Sequence, residues 1–235
     1  MNISRFETKV EAAAASGEAL NKLLLENKDA PVLLLLSGGS SLSILDYVNT
    51  SSLGENLTIT MLDERFSQEA EANNFLQFQK LDFYSRTQEV DVNFIGTVPR
   101  QDENINDLRA RWEITLKKWL DENPDGKIFA TIGMGSDGHI AGIFPYAHDP
   151  NFFETTFEDH HLLAAYKALG KHKYEDRVTS TLPLLKRIDE AVVFICGTEK
   201  KPKLDELLKG QSQPHTLPAV GIFETKHFQI FTDIK

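Results

Sequence analysis

The segment VLLLLSGGSSLSIL, residues 32–45, decides the fold class of this chain. Val32–Leu36 form a continuous apolar run between Pro31 and the Ser37-Gly38-Gly39 turn, which is typical of a strand buried on both faces of a parallel sheet. The residues after the glycines have a helical pattern. A strand that passes through a glycine turn into a helix indicates an α/β unit.

Strand and helix patterns alternate along the rest of the chain. Predicted strands cover residues 32–36, 57–62, 127–132, 162–166, 191–196 and 228–232, and predicted helices cover residues 6–25, 74–84, 104–120 and 200–208. This alternation predicts an α/β fold with a doubly wound, mostly parallel sheet flanked by helices. In such sheets ligands bind at the carboxyl ends of the strands, so we expect the functional residues there.

Length and composition predict one soluble, cytoplasmic domain over residues 1–235. The chain has 41% hydrophobic residues, enough for a sizeable core. It has no run of about 18 apolar residues and no basic segment followed by an apolar block at its N-terminus, so we expect no membrane partner and no export signal. The one cysteine, Cys196, lies in the apolar run AVVFIC and is interpreted as a core residue of a reducing compartment.

The charge balance argues against a nucleic-acid partner. The formal net charge is -10, and the lysines and arginines are scattered. A few cations that converge in one pocket can still bind a small anion, because the field is local at physiological salt. Neither G-x-G-x-x-G nor G-K-[ST] occurs, which argues against nicotinamide cofactors and nucleoside triphosphates bound by those motifs.

The first candidate site is the turn at residues 37–41, whose glycines let backbone N–H groups at a helix start approach an anion closely. An ordinary turn with a serine N-cap explains the same residues, and both interpretations stay open. The second is Asp63-Glu64-Arg65, directly after a predicted strand. Arg65 suits a phosphate, and Asp63 could orient a substrate hydroxyl or act as a base. Taken alone, three adjacent charges favour a solvated ion pair.

The third candidate site lies in IFATIGMGSDGHIAGIFP, residues 128–145. A buried strand delivers Gly133, Gly135, Asp137, Gly138 and His139 into a tight loop. Imidazole, with an ordinary pKa of about 6.5, suits proton abstraction from water near neutral pH, and Asp137 could fix its tautomer. An isolated histidine is more often structural, but this one lies in a glycine-dense loop beside an aspartate, which favours a catalytic function.

Two further cations are weaker candidates. Arg177 lies in YEDRVTST, and Lys200 lies in CGTEKKP between a predicted strand and a predicted helix. Lys200 is therefore expected at the same edge of the sheet as the other candidates and could close a phosphate pocket. Solvated side chains are the alternative for both.

These separated motifs together resemble the 6-phosphogluconolactonase family, which belongs with the glucosamine-6-phosphate deaminases in one superfamily. The residues that carry the resemblance are Ser37-Gly38-Gly39-Ser40, Asp63-Glu64-Arg65 with Asn74, Gly133-Met134-Gly135-x-Asp137-Gly138-His139 through Phe144-Pro145, Arg177-Val178-Thr179, and Gly197-x-x-Lys200. They span nearly the whole chain.

The resemblance implies hydrolysis of 6-phosphoglucono-1,5-lactone to 6-phosphogluconate, without a metal or organic cofactor. It makes His139 the general base, beside the catalytic candidates Asp137 and Asp63. The phosphate-binding candidates are Gly38, Gly39, Ser40, Ser41, Arg65, Arg177 and Lys200. The expected ligand is a small phosphorylated sugar lactone, and the expected state is a monomer or a homodimer.

Two alternatives remain: a deaminase or isomerase of the same superfamily, and a noncatalytic sugar-phosphate-binding protein. Deaminases typically carry Asn-Glu-Pro where this chain has Ile143-Phe144-Pro145, and tyrosine where it has Arg65. Both positions favour the lactonase.

The chain also departs from the lactonase pattern. Ser41-Leu42 replaces Thr-Pro, which predicts a less rigid phosphate loop, and Asn73 stands in place of serine. Residues 165–174, with His172, lack the usual proline-containing approach to Arg177, so the family pattern does not predict the shape of the sugar pocket here.

Overall fold

The structure, a computed structural model, describes residues 2–235 and contains a seven-stranded parallel sheet and a three-stranded antiparallel sheet. The strands are β1 (Asn2–Arg5), β2 (Val32–Leu36), β3 (Leu57–Met61), β4 (Asp63–Arg65), β5 (Asn93–Phe94), β6 (Lys127–Gly133), β7 (Leu163–Lys167), β8 (Asp176–Ser180), β9 (Glu190–Phe194) and β10 (His227–Thr232). The α-helices are α1 (Lys9–Glu26), α2 (Asn74–Phe78), α3 (Asp82–Gln88), α4 (Ile105–Glu122), α5 (Pro150–Phe153), α6 (Leu182–Leu185) and α7 (Lys201–Lys209). A 3₁₀ helix, Gly39–Tyr47, follows β2.

The large sheet confirms the predicted α/β architecture. Its strand order is β1-β10-β9-β6-β2-β3-β5, with every neighbouring pair parallel. In the centre, Leu36 at the end of β2 pairs with Met61 of β3 on one side and Thr131 of β6 on the other. The carboxyl ends of β2, β3 and β6 therefore lie level, and the loops that leave them meet at one edge.

The small sheet, in the order β4-β8-β7, was not predicted. Its strand β4 begins at Asp63, two residues after β3 ends, and pairs antiparallel with β8. The predicted strand at residues 162–166 is β7, which belongs to this antiparallel sheet. Three charged residues carry no apolar pattern, so β4 is set by its pairing with β8 and not by local sequence.

Three of the four predicted helices, those at residues 6–25, 104–120 and 200–208, are observed with small changes at their ends. A capping box joins Thr8 and Glu11 at the start of α1, which therefore begins after residue 6, and strand β1 precedes it. The predicted helix at residues 74–84 is two helices, α2 and α3. The sequence predicted one helix because Phe78 and Phe83, on either side of the break, are both fully buried and continue the apolar pattern. Among residues 2–235, no helix has the length and apolar character needed to span a membrane.

Cys196 lies in the core, as predicted. It is a free, buried thiol directly after β9. Burial raises the pKa of this thiol to about 12, so it stays protonated and unreactive at neutral pH.

Candidate active site

A cavity of about 260 Å³ lies at the carboxyl edge of the large sheet, where the small sheet adjoins it. It brings together eight of the ten predicted site residues: Gly38, Gly39, Ser40, Asp63, Arg65, His139, Arg177 and Lys200. The other two, Ser41 and Asp137, lie behind the cavity wall and contact residues that line it.

The turn after β2 approaches the cavity with its backbone exposed. A Cβ atom at Gly38 would lie 2.2 Å from Oδ1 of Asn74, so only glycine fits between the turn and α2. Ser41 is buried, and its hydroxyl donates to the carbonyls of Ser37 at 3.2 Å and Gly38 at 2.9 Å. The Ser41 side chain therefore braces the turn, and its hydroxyl does not reach the cavity.

Asp63 forms a buried ion pair with Arg177. The Arg177 Nη1 lies 3.1 Å from Asp63 Oδ2, and the two side chains are 3% and 10% exposed. Asn74 holds Asp63 in place through a 2.9 Å hydrogen bond to its carbonyl oxygen. The alternative interpretation of this cluster as a solvated ion pair is therefore wrong. Burial and the neighbouring Arg65 lower the pKa of Arg177, while Asp63 opposes them.

Arg65 stands directly opposite Arg177 in the β4–β8 pair. Its Nη1 donates to the carbonyl of Ala72 at 3.0 Å, while its buried Nε finds no hydrogen-bond partner among residues 2–235. Lys200, half-buried at the start of α7, adds a third cation. Burial lowers the pKa of Lys200, and Glu199 opposes this. Three cations against the one carboxylate of Asp63 give the cavity a charge balance that suits an anionic ligand.

His139 lies on the loop after β6 with its ring held by Asp137. Its Nδ1 is 2.5 Å from Asp137 Oδ1, which also accepts the His139 backbone N–H at 3.2 Å. Burial raises the pKa of Asp137, but the hydrogen bond and charge of His139 outweigh it, and the net shift is downward. An ionised Asp137 accepts a hydrogen bond from Nδ1–H of His139, which leaves Nε2 as the acceptor of the neutral ring.

Gly135 and Phe144 enclose the imidazole of His139. A Cβ atom at Gly135 would lie 2.2 Å from both Nδ1 and Cε1 of His139, so the ring occupies the space that a side chain would fill. The buried Phe144 ring packs 4.5 Å from the imidazole centroid. The Arg177 guanidinium lies 5.3 Å from the same Phe144 ring. Phe144 therefore separates the candidate base from the ion pair.

The residues 2–235 contain one group of possible metal ligands, the exposed side chains of Asp159, His160 and His161. None of the three lines the cavity. The cavity itself offers a single carboxylate, Asp63, which is already paired with Arg177. That donor set fits an anionic ligand better than a divalent cation.

Residues 7–232 match the sequence model of the family described as glucosamine-6-phosphate isomerases/6-phosphogluconolactonase. The chain belongs to this family. A curated 6-phosphogluconolactonase of Neisseria meningitidis is 25% identical over 92% of this chain and 91% of its own length. A probable 6-phosphogluconolactonase of Dictyostelium discoideum is 24% identical over 83% of this chain and 81% of its own length.

Solved structures of 6-phosphogluconolactonases share the fold. The crystal structure from Thermotoga maritima superposes with a TM-score of 0.76 at 23% identity and covers 98% of both chains. The structure from Trypanosoma brucei gives a TM-score of 0.77 at 19% identity, over 98% of this chain and 95% of the other. The resemblance read from the sequence motifs is therefore confirmed at the level of family and fold.

Within the family motif Asp-Glu-Arg, the middle residue has a structural task that the sequence did not indicate. Glu64 is fully buried and accepts hydrogen bonds from the backbone N–H groups of Arg65, Asn74 and Phe75 and from the hydroxyl of Thr97. Burial raises its pKa to about 7, against the effect of these donors. Glu64 thereby ties β4 to the start of α2.

The substitutions that depart from the family pattern have visible places. Asn73 serves as the N-cap of α2, where its side chain accepts the Leu76 N–H at 2.8 Å, so it can replace serine without loss of the cap. His172 lines the cavity, although it was noted in the sequence only as a departure from the pattern.

Proposed function

We propose that this chain hydrolyses 6-phosphoglucono-1,5-lactone to 6-phosphogluconate in the oxidative pentose phosphate pathway. The observation that carries the proposal is one cavity that holds both an imidazole oriented by a carboxylate, His139 with Asp137, and the guanidinium pair of Arg65 and Arg177. The names of the curated relatives support the same reaction. The reaction is expected to need no metal and no organic cofactor.

The phosphoryl group would bind to the cationic side of the cavity. Arg65 and Arg177 can each donate to phosphoryl oxygens in a planar fork, and Lys200 adds a third charge. The backbone of Gly38, Gly39 and Ser40 lies at the start of the 3₁₀ helix, where N–H groups have no partner within the helix. A dianion here would balance the excess positive charge of the cavity.

His139 would act as the general base at the lactone carbonyl. Its Nε2 accepts a proton from water while the water oxygen forms a bond to C1, and the carbonyl becomes an oxyanion. Collapse of the oxyanion breaks the bond between C1 and the ring oxygen. The imidazolium of His139 then returns its proton to the ring oxygen, which becomes the C5 hydroxyl. The new carboxylic acid loses a proton to solvent, so each turnover releases acid.

The peptide bond between Ala141 and Gly142 would supply a donor to the oxyanion. The Thr179 hydroxyl donates to the Ala141 carbonyl, and in a trans peptide the N–H points away from the carbonyl. The Gly142 N–H therefore points away from Thr179, and both Ala141 and Gly142 line the cavity. A fixed backbone donor of this kind stabilises negative charge that develops in the transition state.

The position of Phe144 favours lactone hydrolysis over deamination. Deaminases typically place a glutamate at this point of the loop, and here a buried phenyl ring packs against His139 instead. The only carboxylate that lines the cavity, Asp63, is paired with Arg177. Among residues 2–235, no unpaired carboxylate lines the cavity for the opening of an amino-sugar ring.

Freshly generated 6-phosphogluconolactone tests the proposal. Purified protein should accelerate acid release above the spontaneous rate, and treatment with EDTA should leave the rate unchanged. His139→Ala is the matched control for contaminating hydrolase. An absence of acceleration refutes the lactonase assignment, and ammonia release from glucosamine 6-phosphate would assign the deaminase activity instead.

The cellular setting is part of the proposal as well. The cytoplasmic location and the monomeric or homodimeric state stay predictions from the sequence. Cell fractionation tests the first, and light scattering after size-exclusion chromatography tests the second.

A further inference from the structure

The β7–β8 hairpin places one histidine at the cavity. Its turn spans residues 168–175 and is closed by the Ala168 N–H, which donates to the Glu175 carbonyl at 2.8 Å, and by the Gly170 N–H, which donates to the Glu175 carboxylate at 3.0 Å. Lys171 is exposed, whereas His172 is half-buried and lines the cavity with Arg65, Arg177 and His139. The hairpin therefore presents an imidazole, and not an ammonium group, to the cationic side of the cavity.

The backbone fixes which nitrogen of His172 carries the proton. The Tyr174 N–H donates to His172 Nδ1 at 3.1 Å, so Nδ1 is the acceptor and the neutral ring is protonated at Nε2. The ring is also flanked by Phe144 at 6.5 Å and by Tyr174 at 5.8 Å between centroids. The ring thus holds an Nε2–H donor in a fixed place, where it can recognise an acceptor atom on a ligand.

The surroundings of His172 keep its ring neutral. Burial lowers its pKa, and the charges of Arg177, Arg65 and His139 lower it further. A neutral N–H donor adds a hydrogen bond to an anion site without the repulsion between like charges that a further cation beside Arg65, Arg177 and Lys200 would add.

We propose that His172 donates a hydrogen bond from Nε2 to a phosphoryl oxygen of the substrate and is a specificity-determining residue for phosphorylated ligands. The inference rests on the proposed function, which it deepens by a residue that the family motifs do not contain. The phosphoryl end is the favoured acceptor because His172 lies on the hairpin that carries Arg177, five residues before it, and because Arg65 stands opposite Arg177 in the same cavity.

Ligand binding to the full-length protein tests this assignment. Calorimetry measures the Kd of 6-phosphogluconate and of inorganic phosphate for the wild type, His172→Ala, His172→Gln and the hairpin control Leu169→Ala, whose side chain is 65% exposed. We expect His172→Ala to weaken both ligands about 10-fold to 100-fold, the range for a hydrogen bond to a charged acceptor. His172→Gln, whose amide N–H reaches the place of Nε2–H, should recover most of this loss, and Leu169→Ala should lose nothing.

Steady-state kinetics and NMR separate recognition from a structural effect. In lactone hydrolysis His172→Ala should raise KM by a similar factor with kcat within about twofold, because His139 and Asp137 are untouched. Nitrogen-15 spectra of labelled histidine, assigned by the signal lost in His172→Gln, should show a protonated Nε2 and an unprotonated Nδ1.

Four results would overturn the inference: unchanged affinity in His172→Ala, a loss for 6-phosphogluconate but not for inorganic phosphate, no recovery in His172→Gln, or a proton on Nδ1. A different result would refute the proposed function. It is refuted if the wild type binds 6-phosphogluconate but does not hydrolyse the lactone, and in that case the binding data still decide the role of His172.

Discussion

Substitution of Gly135 by alanine should displace the candidate general base while leaving the anion site intact. The added Cβ would lie 2.2 Å from Nδ1 and Cε1 of His139 and 2.8 Å from Asp137 Oδ1. Ordinary contact begins at 3.4 Å, so the imidazole would have to move by about 1.2 Å. The ring cannot yield freely, because Asp137 holds its Nδ1 and Phe144 packs against its face.

The size of the effect follows from this displacement. A misplacement of about 1 Å in a catalytic group costs roughly 100-fold in rate, which corresponds to about 2.7 kcal/mol of activation free energy. We therefore expect Gly135→Ala to lower kcat for lactone hydrolysis about 100-fold. The affinity for 6-phosphogluconate should change little, since Arg65 and Arg177 lie on the small sheet and Lys200 lies at the start of α7.

Stopped-flow acid release and calorimetry measure the two quantities. Gly96→Ala is the control, because the nearest atom to its added Cβ is 3.9 Å away and Gly96 does not line the cavity. It should keep wild-type kcat. A Gly135→Ala enzyme with kcat within threefold of the wild type would refute the argument that the space at Gly135 positions the imidazole.

Three further predictions concern His139, Arg65 and Glu64. His139→Ala should lower kcat by about 10²- to 10⁴-fold and leave the Kd of 6-phosphogluconate nearly unchanged; equal losses in both would contradict the division between base and anion site. Arg65→Ala should raise KM by about 10-fold to 100-fold with a smaller effect on kcat, and an unaltered KM would remove Arg65 from the phosphate site. The pKa of Glu64 is raised from 4.5 to about 7, so the stability it contributes is complete below pH 4.5 and is lost as pH rises through 7. The advantage of the wild type over Glu64→Gln in free energy of unfolding, from denaturant titrations, should therefore shrink between pH 5 and pH 8, whereas a difference independent of pH would show that Glu64 does not titrate.

Local sequence was enough to predict five of the seven strands of the large sheet, but not its edge strands β1 and β5. The apolar runs of β2 and β6 are long enough and dense enough in branched side chains to be recognised as buried strands, and both end in glycine-rich loops. Their loops were predicted to converge because the carboxyl ends of parallel strands lie at one edge, and the level register of Leu36 with Thr131 and Met61 meets that expectation. The placement of His139 and Arg65 at this edge of the sheet was likewise predicted from their positions after predicted strands, and both line the cavity.

Other features of the cavity depend on contacts between residues far apart in sequence. The pairing of β4 with β8 sets Arg65 opposite Arg177 and buries Asp63 between Arg177 and Asn74, and no local pattern encodes a register across 114 residues. The same holds for Ser41, whose hydroxyl faces the backbone and not the cavity, and for His172, which a hairpin turn brings to the anion site. Periodicity fixes which face of an element is buried, but the partner that covers it is chosen by the packing of the whole chain, and the direction of each polar side chain follows from that partner.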